Sequence, residues 1–211
     1  MSDADFFPLP DEAAIDHIAA ALADKGRIVL PAALPAALSA ALRRRAIAVE
    51  GELKQAGIGR GWAHAVNAAV RTDAIRWLNP DDAAEAAYLA WMEQLRLGLN
   101  RRLFLGLFDY EAHFAVYEPG AYYRKHLDAF QGASNRVLTT VFYLNPQWPP
   151  EDGGELLVYD LDGGLLHSIA PDLGKMAIFL SAKHPHEVAE TQRKRYSIAG
   201  WFRVNAPVAG R

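Results

Sequence analysis

From position 113 to 204 the hydrophobicity alternates with period two, in short runs separated by turn residues. The runs are 113–117, 122–128, 137–144, 155–159, 165–169, 176–181 and 196–204. A period of two places alternate side chains on opposite faces of a strand, so each run predicts a β-strand with one buried face. Pro119-Gly120, Asp152-Gly153-Gly154, Asp162-Gly163-Gly164 and Asp172-Leu173-Gly174 supply the turn chemistry between them. Many short strands with frequent turns predict two packed sheets, a double-stranded β-helix or jelly roll.

The first half of the chain has the other period. Ala14, Ile15, Ile18 and Leu22 fall at helical spacing after Asp11, and Gly26 is placed to cap that helix. A short strand is predicted at 27–30, then a helix from about Pro35 through Leu38, Leu42 and Ile47 towards Leu53. Arg43-Arg44-Arg45 reads as the wet face of that helix. A long helix is predicted over 81–105, with Ala84, Ala87, Tyr88, Trp91, Leu95 and Leu99 as its buried stripe. The expected fold is therefore mainly β with supporting α-helices, the jelly-roll core being buttressed by the N-terminal helices. At 211 residues the chain reads as a single domain. Its parts are 1–56 helical with a short strand, 57–80 loop and strand, 81–105 supporting helix and 113–204 core.

Within the strand region, His126 and Asp128 stand two positions apart, on one face of the predicted strand. His-x-Asp alone occurs by chance in many chains. Here it is followed by His186 and, nine positions further on, by Arg195 inside an apolar strand. Two imidazoles and a carboxylate on one face of an ion leave open positions, the facial pattern of non-haem Fe(II) oxygenases. An arginine in an apolar strand is costly unless an anion meets it, and a guanidinium suits a carboxylate such as the far end of 2-oxoglutarate. His184 competes with His186 for the third position. His17, His113 and His167 lack a partner at motif spacing, and His64 reads as a loop residue.

The ordered series resembles the Fe(II)- and 2-oxoglutarate-dependent prolyl 4-hydroxylase superfamily, in the branch of the hypoxia-inducible-factor prolyl hydroxylases and their bacterial counterparts. The resemblance is carried by Tyr117-Glu118-Pro119-Gly120, by Tyr123-Arg124-Lys125-His126-Leu127-Asp128 and by the run from Arg136 to Asn145. It continues in Gly153-Gly154-Glu155-Leu156, Pro185-His186-Glu187-Val188 and the run from Arg195 to Phe202, with a weaker match from Val70 to Trp77. It implies His126, Asp128 and His186 as iron ligands, His186 being preferred to His184 by its His-Glu-Val context. It implies Arg195, Tyr143 and Tyr117 at the 2-oxoglutarate and iron pocket, and Arg71, Arg136 and Trp201 along a groove for an extended peptide. The 57–80 region is implied to cover the substrate.

The implied reaction consumes 2-oxoglutarate and O2, releases succinate and carbon dioxide, and hydroxylates a prolyl residue of a protein at an Fe(II) centre, with ascorbate as a supporting reductant. The iron centre itself is implied to carry the chemistry, with no separate acid or base residue. Bacterial members act on a proline of elongation factor Tu, which makes that protein the first candidate partner. The same chemistry on a small molecule or another side chain, or a non-catalytic binding module, are the alternatives. A net charge of -3 argues against a nucleic-acid binder. No apolar run reaches membrane-spanning length, the first residues lack a signal-peptide pattern, and there is no cysteine. These point to a cytoplasmic protein, a monomer or weak oligomer, without membrane contact.

Overall fold

Two aspartates set where the main helices begin. A computed structural model describes residues 7–56, 70–129 and 135–205. In it the Asp11 side chain accepts from the Ala14 N–H to start helix α1 (Glu12–Lys25), and Gly26, at φ 70°, ends it in the left-handed region. Strand β1 (Arg27–Leu30) and helix α2 (Ala36–Ala48) follow. The second helix stops short of the expected Leu53: the chain tightens into a 3-10 turn at Glu50–Glu52, which presents Glu50 to Lys194 and Tyr196. Of the arginine run only Arg44 is exposed. Arg43 donates to the Leu144 carbonyl at 2.8 Å and Arg45 to Glu85 at 2.7 Å, so this helix face is docked rather than wet.

Strands β2 (Lys54–Gln55) and β3 (Ala74–Trp77) form an antiparallel pair. Helix α3 (Ala83–Leu103) is capped by Asp82, which accepts from the Ala84 and Glu85 N–H groups. It ends two residues before the expected position because Phe104 adopts φ 52°, while the Asn100 side chain exchanges two 2.8 Å hydrogen bonds with Leu107. Its predicted stripe is observed, with Tyr88, Trp91, Leu95 and Leu99 buried and Met92 beside them. Each such side chain contributes about 1.5–3 kcal/mol through the apolar area it removes from water. Glu85 is buried on the same helix, and its charge is met by Arg45 and Arg76.

The strands then follow as β4 (Asp109–Tyr117), β5 (Tyr123–His126), β6 (Arg136–Tyr143), β7 (Leu156–Tyr159), β8 (Leu165–Ile169), β9 (Met176–Leu180), β10 (His186–Val188) and β11 (Arg195–Arg203). They make a seven-stranded sheet, β1-β9-β6-β11-β4-β3-β2, and a four-stranded sheet, β5-β10-β7-β8. The helices pack on the outer face of the large sheet, where Leu38, Leu42, Met92 and Leu95 meet Phe114, Phe142, Ile198 and Phe202. The inner face closes on the small sheet through Tyr143, Val141, Phe179, Leu156, Val158 and Val188. The jelly roll with buttressing helices is the expected architecture.

Two local readings are corrected. The strand expected over 122–128 ends at His126, so Asp128 lies in the bend beyond it. Residues 186–188 form a strand that the periodicity did not reveal, because a three-residue run is too short to display alternation. Of the segment expected to cover the substrate, residues 57–69, with Trp62 and His64, lie outside the described residues, as do residues 130–134.

Candidate metal and anion site

The site is built on the inner face, where the small sheet meets the large one. Strand β10 pairs β5 with His186 opposite His126, so backbone register alone brings the two imidazoles together. The chain turns after β5 and carries Asp128 back between them. Asp128 Oδ1 lies 3.6 Å from His126 Nε2, and Oδ2 lies 3.4 Å from His186 Nε2. Ligand atoms from all three residues lie within 4.8 Å of one another, which makes this group able to hold a metal ion.

Hydrogen bonds behind the cluster set its tautomers. His126 Nδ1 is 2.8 Å from the Arg124 carbonyl, and His186 Nδ1 is 3.1 Å from the His184 carbonyl. A carbonyl only accepts, so each Nδ1 carries a proton, and each Nε2 is the ring nitrogen turned towards Asp128. Burial pushes His186 down to about 4, so this ring is neutral at neutral pH. Burial works against ionisation of Asp128, but attraction to the His186 and His126 rings in their protonated form, with a hydrogen bond from His126, holds its carboxyl well below the usual carboxylate range. Thr139 donates to Asp128 Oδ2 at 2.8 Å and receives a 2.9 Å hydrogen bond from Ser181. Thr139 and Ser181 were not singled out in the sequence. The signal was available only as a hydroxyl on one apolar strand and a second just past the end of its neighbour.

His184, the competitor, is turned away: its Nδ1 is 3.3 Å from the Tyr159 carbonyl, and its ring packs edge-on to Phe179. His113 is buried between Trp77 and Trp201, away from the cluster of ligand atoms.

Arg195 opens β11 directly opposite Tyr117 on β4, and Ser197 sits opposite Tyr143 on β6. Arg195 is 1% exposed, yet no carboxylate among the described residues pairs with it. Its Nε donates to the Gly154 carbonyl at 2.8 Å and its Nη1 to Ser197 Oγ at 3.1 Å. Among the described residues its Nη2 finds no hydrogen-bond partner, and neither does the buried hydroxyl of Tyr143. The guanidinium lies 4.9 Å from the Tyr117 ring centre and 5.2 Å from that of Tyr143. Burial pushes both hydroxyls up, with Arg195 opposing. A buried cation with a free N–H beside an unpaired hydroxyl costs several kcal/mol as it stands, and an anion bound there would relieve that cost. Tyr143 and Thr139 share one face of β6, with about 13 Å between their Cα atoms at ~3.3 Å rise per residue. The anion anchor and the metal cluster are therefore two ends of one inner wall.

Around the cluster, Arg136 stacks 3.5 Å over Trp201 and bonds Glu111 at 3.2 Å. Its Nη1 is 3.9 Å from Asp128. Arg71 grips the fully buried Asp73 with Nε at 2.7 Å and Nη2 at 2.5 Å, and lies 4.4 Å over the Tyr123 ring. The structure thus brings every candidate residue of the sequence reading to this inner wall or its rim.

A profile described as the 2OG-Fe(II) oxygenase superfamily matches residues 112–203. Among solved structures, a prolyl-4-hydroxylase from Pseudomonas putida is 40% identical with a TM-score of 0.83, covering 91% of this chain and 100% of its own. A prolyl hydroxylase from Trichoplax adhaerens, in complex with a hypoxia inducible factor peptide fragment, gives a TM-score of 0.80 at 23% identity. It covers 91% of this chain and 90% of its own, and this likeness shows the fold. Egl nine homolog 1 of Rattus norvegicus is 31% identical over 85 residues, 39% of this chain, and the chain spans only 25% of that relative's length.

Proposed function

Since this chain belongs to the 2OG-Fe(II) oxygenase superfamily, we propose that it hydroxylates a prolyl residue of a protein, with elongation factor Tu as the first candidate. The enzyme class is an iron- and 2-oxoglutarate-dependent dioxygenase with prolyl hydroxylase-like structure. The observation that carries the site reading is the unsatisfied pair on the inner wall, the Arg195 Nη2 and the Tyr143 hydroxyl. They fit the far carboxylate of 2-oxoglutarate, and the two imidazoles and one carboxylate fit Fe(II).

In this reading His126, Asp128 and His186 would hold the ion, through the Nε2 atoms of the two imidazoles and the carboxylate. Thr139 fixes the rotation of the carboxylate. Arg195 and Tyr143 hold the cosubstrate by its distal end, with Tyr117 closing the wall beside them and Ser197 keeping the guanidinium flat against the strand. Fe(II) with 2-oxoglutarate and O2 supplies the oxidising chemistry, releasing succinate and carbon dioxide. The protein's share is to orient these groups and to keep the inner wall dry with Phe179, Val141 and Val188. The iron centre carries the chemistry, and we assign no separate acid or base residue.

Arg136, stacked on Trp201 beside Asp128, forms with Arg71 the proposed wall of the substrate groove. No helix among the described residues is long and apolar enough to cross a membrane. Lack of cysteine in the chain suits a reducing compartment, and we propose the cytoplasm.

The test is succinate formation with Fe(II), followed by reaction with elongation factor Tu from the same source. Mass spectrometry should find one added oxygen atom on a proline, absent with His126→Ala. Succinate without that modification would keep the oxygenase and remove this substrate.

A further inference from the structure

The metal-facing ring of His126 is stacked on a neighbour that neither the proposed ligand set nor the proposed cosubstrate pocket includes. Tyr123 lies parallel to it, with ring centres 3.7 Å apart and planes 14° apart. The Arg71 guanidinium lies 4.4 Å over the same Tyr123 ring. Two groups that close to one ring centre cannot share a face, so Tyr123 is sandwiched between Arg71 and His126.

We propose that Tyr123 is a positioning residue for the metal centre, and that the Arg71–Asp73 ion pair clamps its ring against His126. The proposal rests on the reading of His126 as a metal ligand. Three features of the structure support it. First, β5 is the edge of the small sheet, and it meets β10 only at His186–His126 and Val188–Tyr123, with a register shift between them. So short a ladder holds the backbone of His126 without fixing the tilt of its ring.

Second, the hydrogen bond of His126 Nδ1 to the Arg124 carbonyl anchors one ring atom but does not by itself set the plane of the imidazole, which meets the His186 ring only at a 54° tilt. A flat surface on its face sets that plane. Third, the outer layer of the sandwich is rigid. Arg71 donates two parallel hydrogen bonds to Asp73, which is fully buried immediately before β3 of the large sheet. The segment carrying them is also sewn to β5, by Arg124 N–H to Val70 O at 2.8 Å, Thr72 N–H to Tyr122 O at 3.1 Å and Tyr122 N–H to Thr72 Oγ1 at 2.9 Å. The clamp therefore ties a ligand on the edge of one sheet to the body of the other.

The consequence concerns affinity and geometry at the ion. Removing a group that orients a metal ligand weakens metal binding by about 10–100-fold. Co(II) titration of the full chain reads both quantities at once, since its visible absorption reports coordination geometry as well as occupancy. Tyr123→Leu should lose about tenfold in Co(II) affinity and alter the absorption band. Tyr123→Phe keeps the ring and should stay within about twofold of the unaltered chain. Arg71→Gln removes the outer layer and should fall between them, with its melting temperature followed alongside.

Unaltered affinity and band in Tyr123→Leu would overturn the proposal. So would a loss in Tyr123→Phe equal to that in Tyr123→Leu, because the hydroxyl rather than the ring would then be at work. An unchanged band in Arg71→Gln would remove the clamp, and this variant tests the proposal even if Tyr123→Leu does not fold. Stoichiometric Co(II) binding by the unaltered chain, lost in His126→Ala, tests the underlying ligand reading separately.

Discussion

His126 and His186 are register partners across β5 and β10, their ring centres 4.4 Å apart. Residues far apart in the chain become neighbours because two short antiparallel strands place them directly opposite each other. Without an ion, the two ring nitrogens and the Asp128 carboxylate lie together in one small volume. Bound metal should therefore stabilise the fold. At a concentration about 100-fold above its dissociation constant, Mn(II) or Co(II) should add about 2.7 kcal/mol to the unfolding free energy. Urea titration with and without metal measures this. The gain should vanish in His186→Ala, and a gain that persisted would remove His186 from the ligand set.

Tyr143 separates function from stability. Its buried hydroxyl has no hydrogen-bond partner among the described residues, so Tyr143→Phe should leave the melting temperature unchanged or raise it. The same substitution should weaken 2-oxoglutarate by about 3–10-fold, the worth of one hydrogen bond of about 0.5–1.5 kcal/mol. Arg195→Gln should weaken it by about 100-fold or more, since a charge-assisted contact is lost. Calorimetry with 2-oxoglutarate checks both, and equal affinities would place the cosubstrate elsewhere.

Gly154 connects a turn to the anion anchor. Its φ is 70°, its carbonyl receives Arg195 Nε at 2.8 Å, and a Cβ there would stand 3.2 Å from Arg195 Cδ and 3.0 Å from the Thr191 side chain. Gly154→Ala should cost about 1–2 kcal/mol in stability from the left-handed backbone alone. By pushing Arg195, it should also raise the KM for 2-oxoglutarate more than it changes kcat. Gly163, at φ 91° with nothing near its Cβ, is the control: alanine there should cost stability and leave KM alone.

His113 should shape the acid side of the stability profile. Burial pushes it down from 6.5 to about 4, Asp73 opposing and Arg71 reinforcing. The unfolded chain therefore binds the proton more readily than the folded one between pH 6.5 and 4. The contribution is complete above pH 6.5 and is lost as the pH falls towards 4, amounting to about 3 kcal/mol. His113→Phe should flatten that part of the unfolding free energy measured in urea, whereas an unchanged slope would assign it to other groups such as His186.

The sequence by itself determined the large-scale order of the molecule. Period-two alternation is a local property, so β4, β6, β7, β8, β9 and β11 were legible within a residue or so, apart from the start of β4, as were the helix faces carrying Tyr88, Trp91 and Leu95. The chemistry-bearing residues were also legible, because an arginine in an apolar strand and two histidines flanking an aspartate contradict their surroundings. What the alternation could not carry was distance between strands. Asp128 reaches the histidines from a bend rather than from β5, because the strand stops once its pairing with β10 ends. The Thr139–Ser181 support of Asp128 exists only because β6 runs beside β9 and the chain just beyond it. The Arg71–Tyr123–His126 stack arises where the edge of the small sheet meets the large one. Which face a side chain takes follows from its immediate neighbours in sequence; which side chain it meets there follows from register, bulges and sheet closure, and these are settled by packing the whole chain.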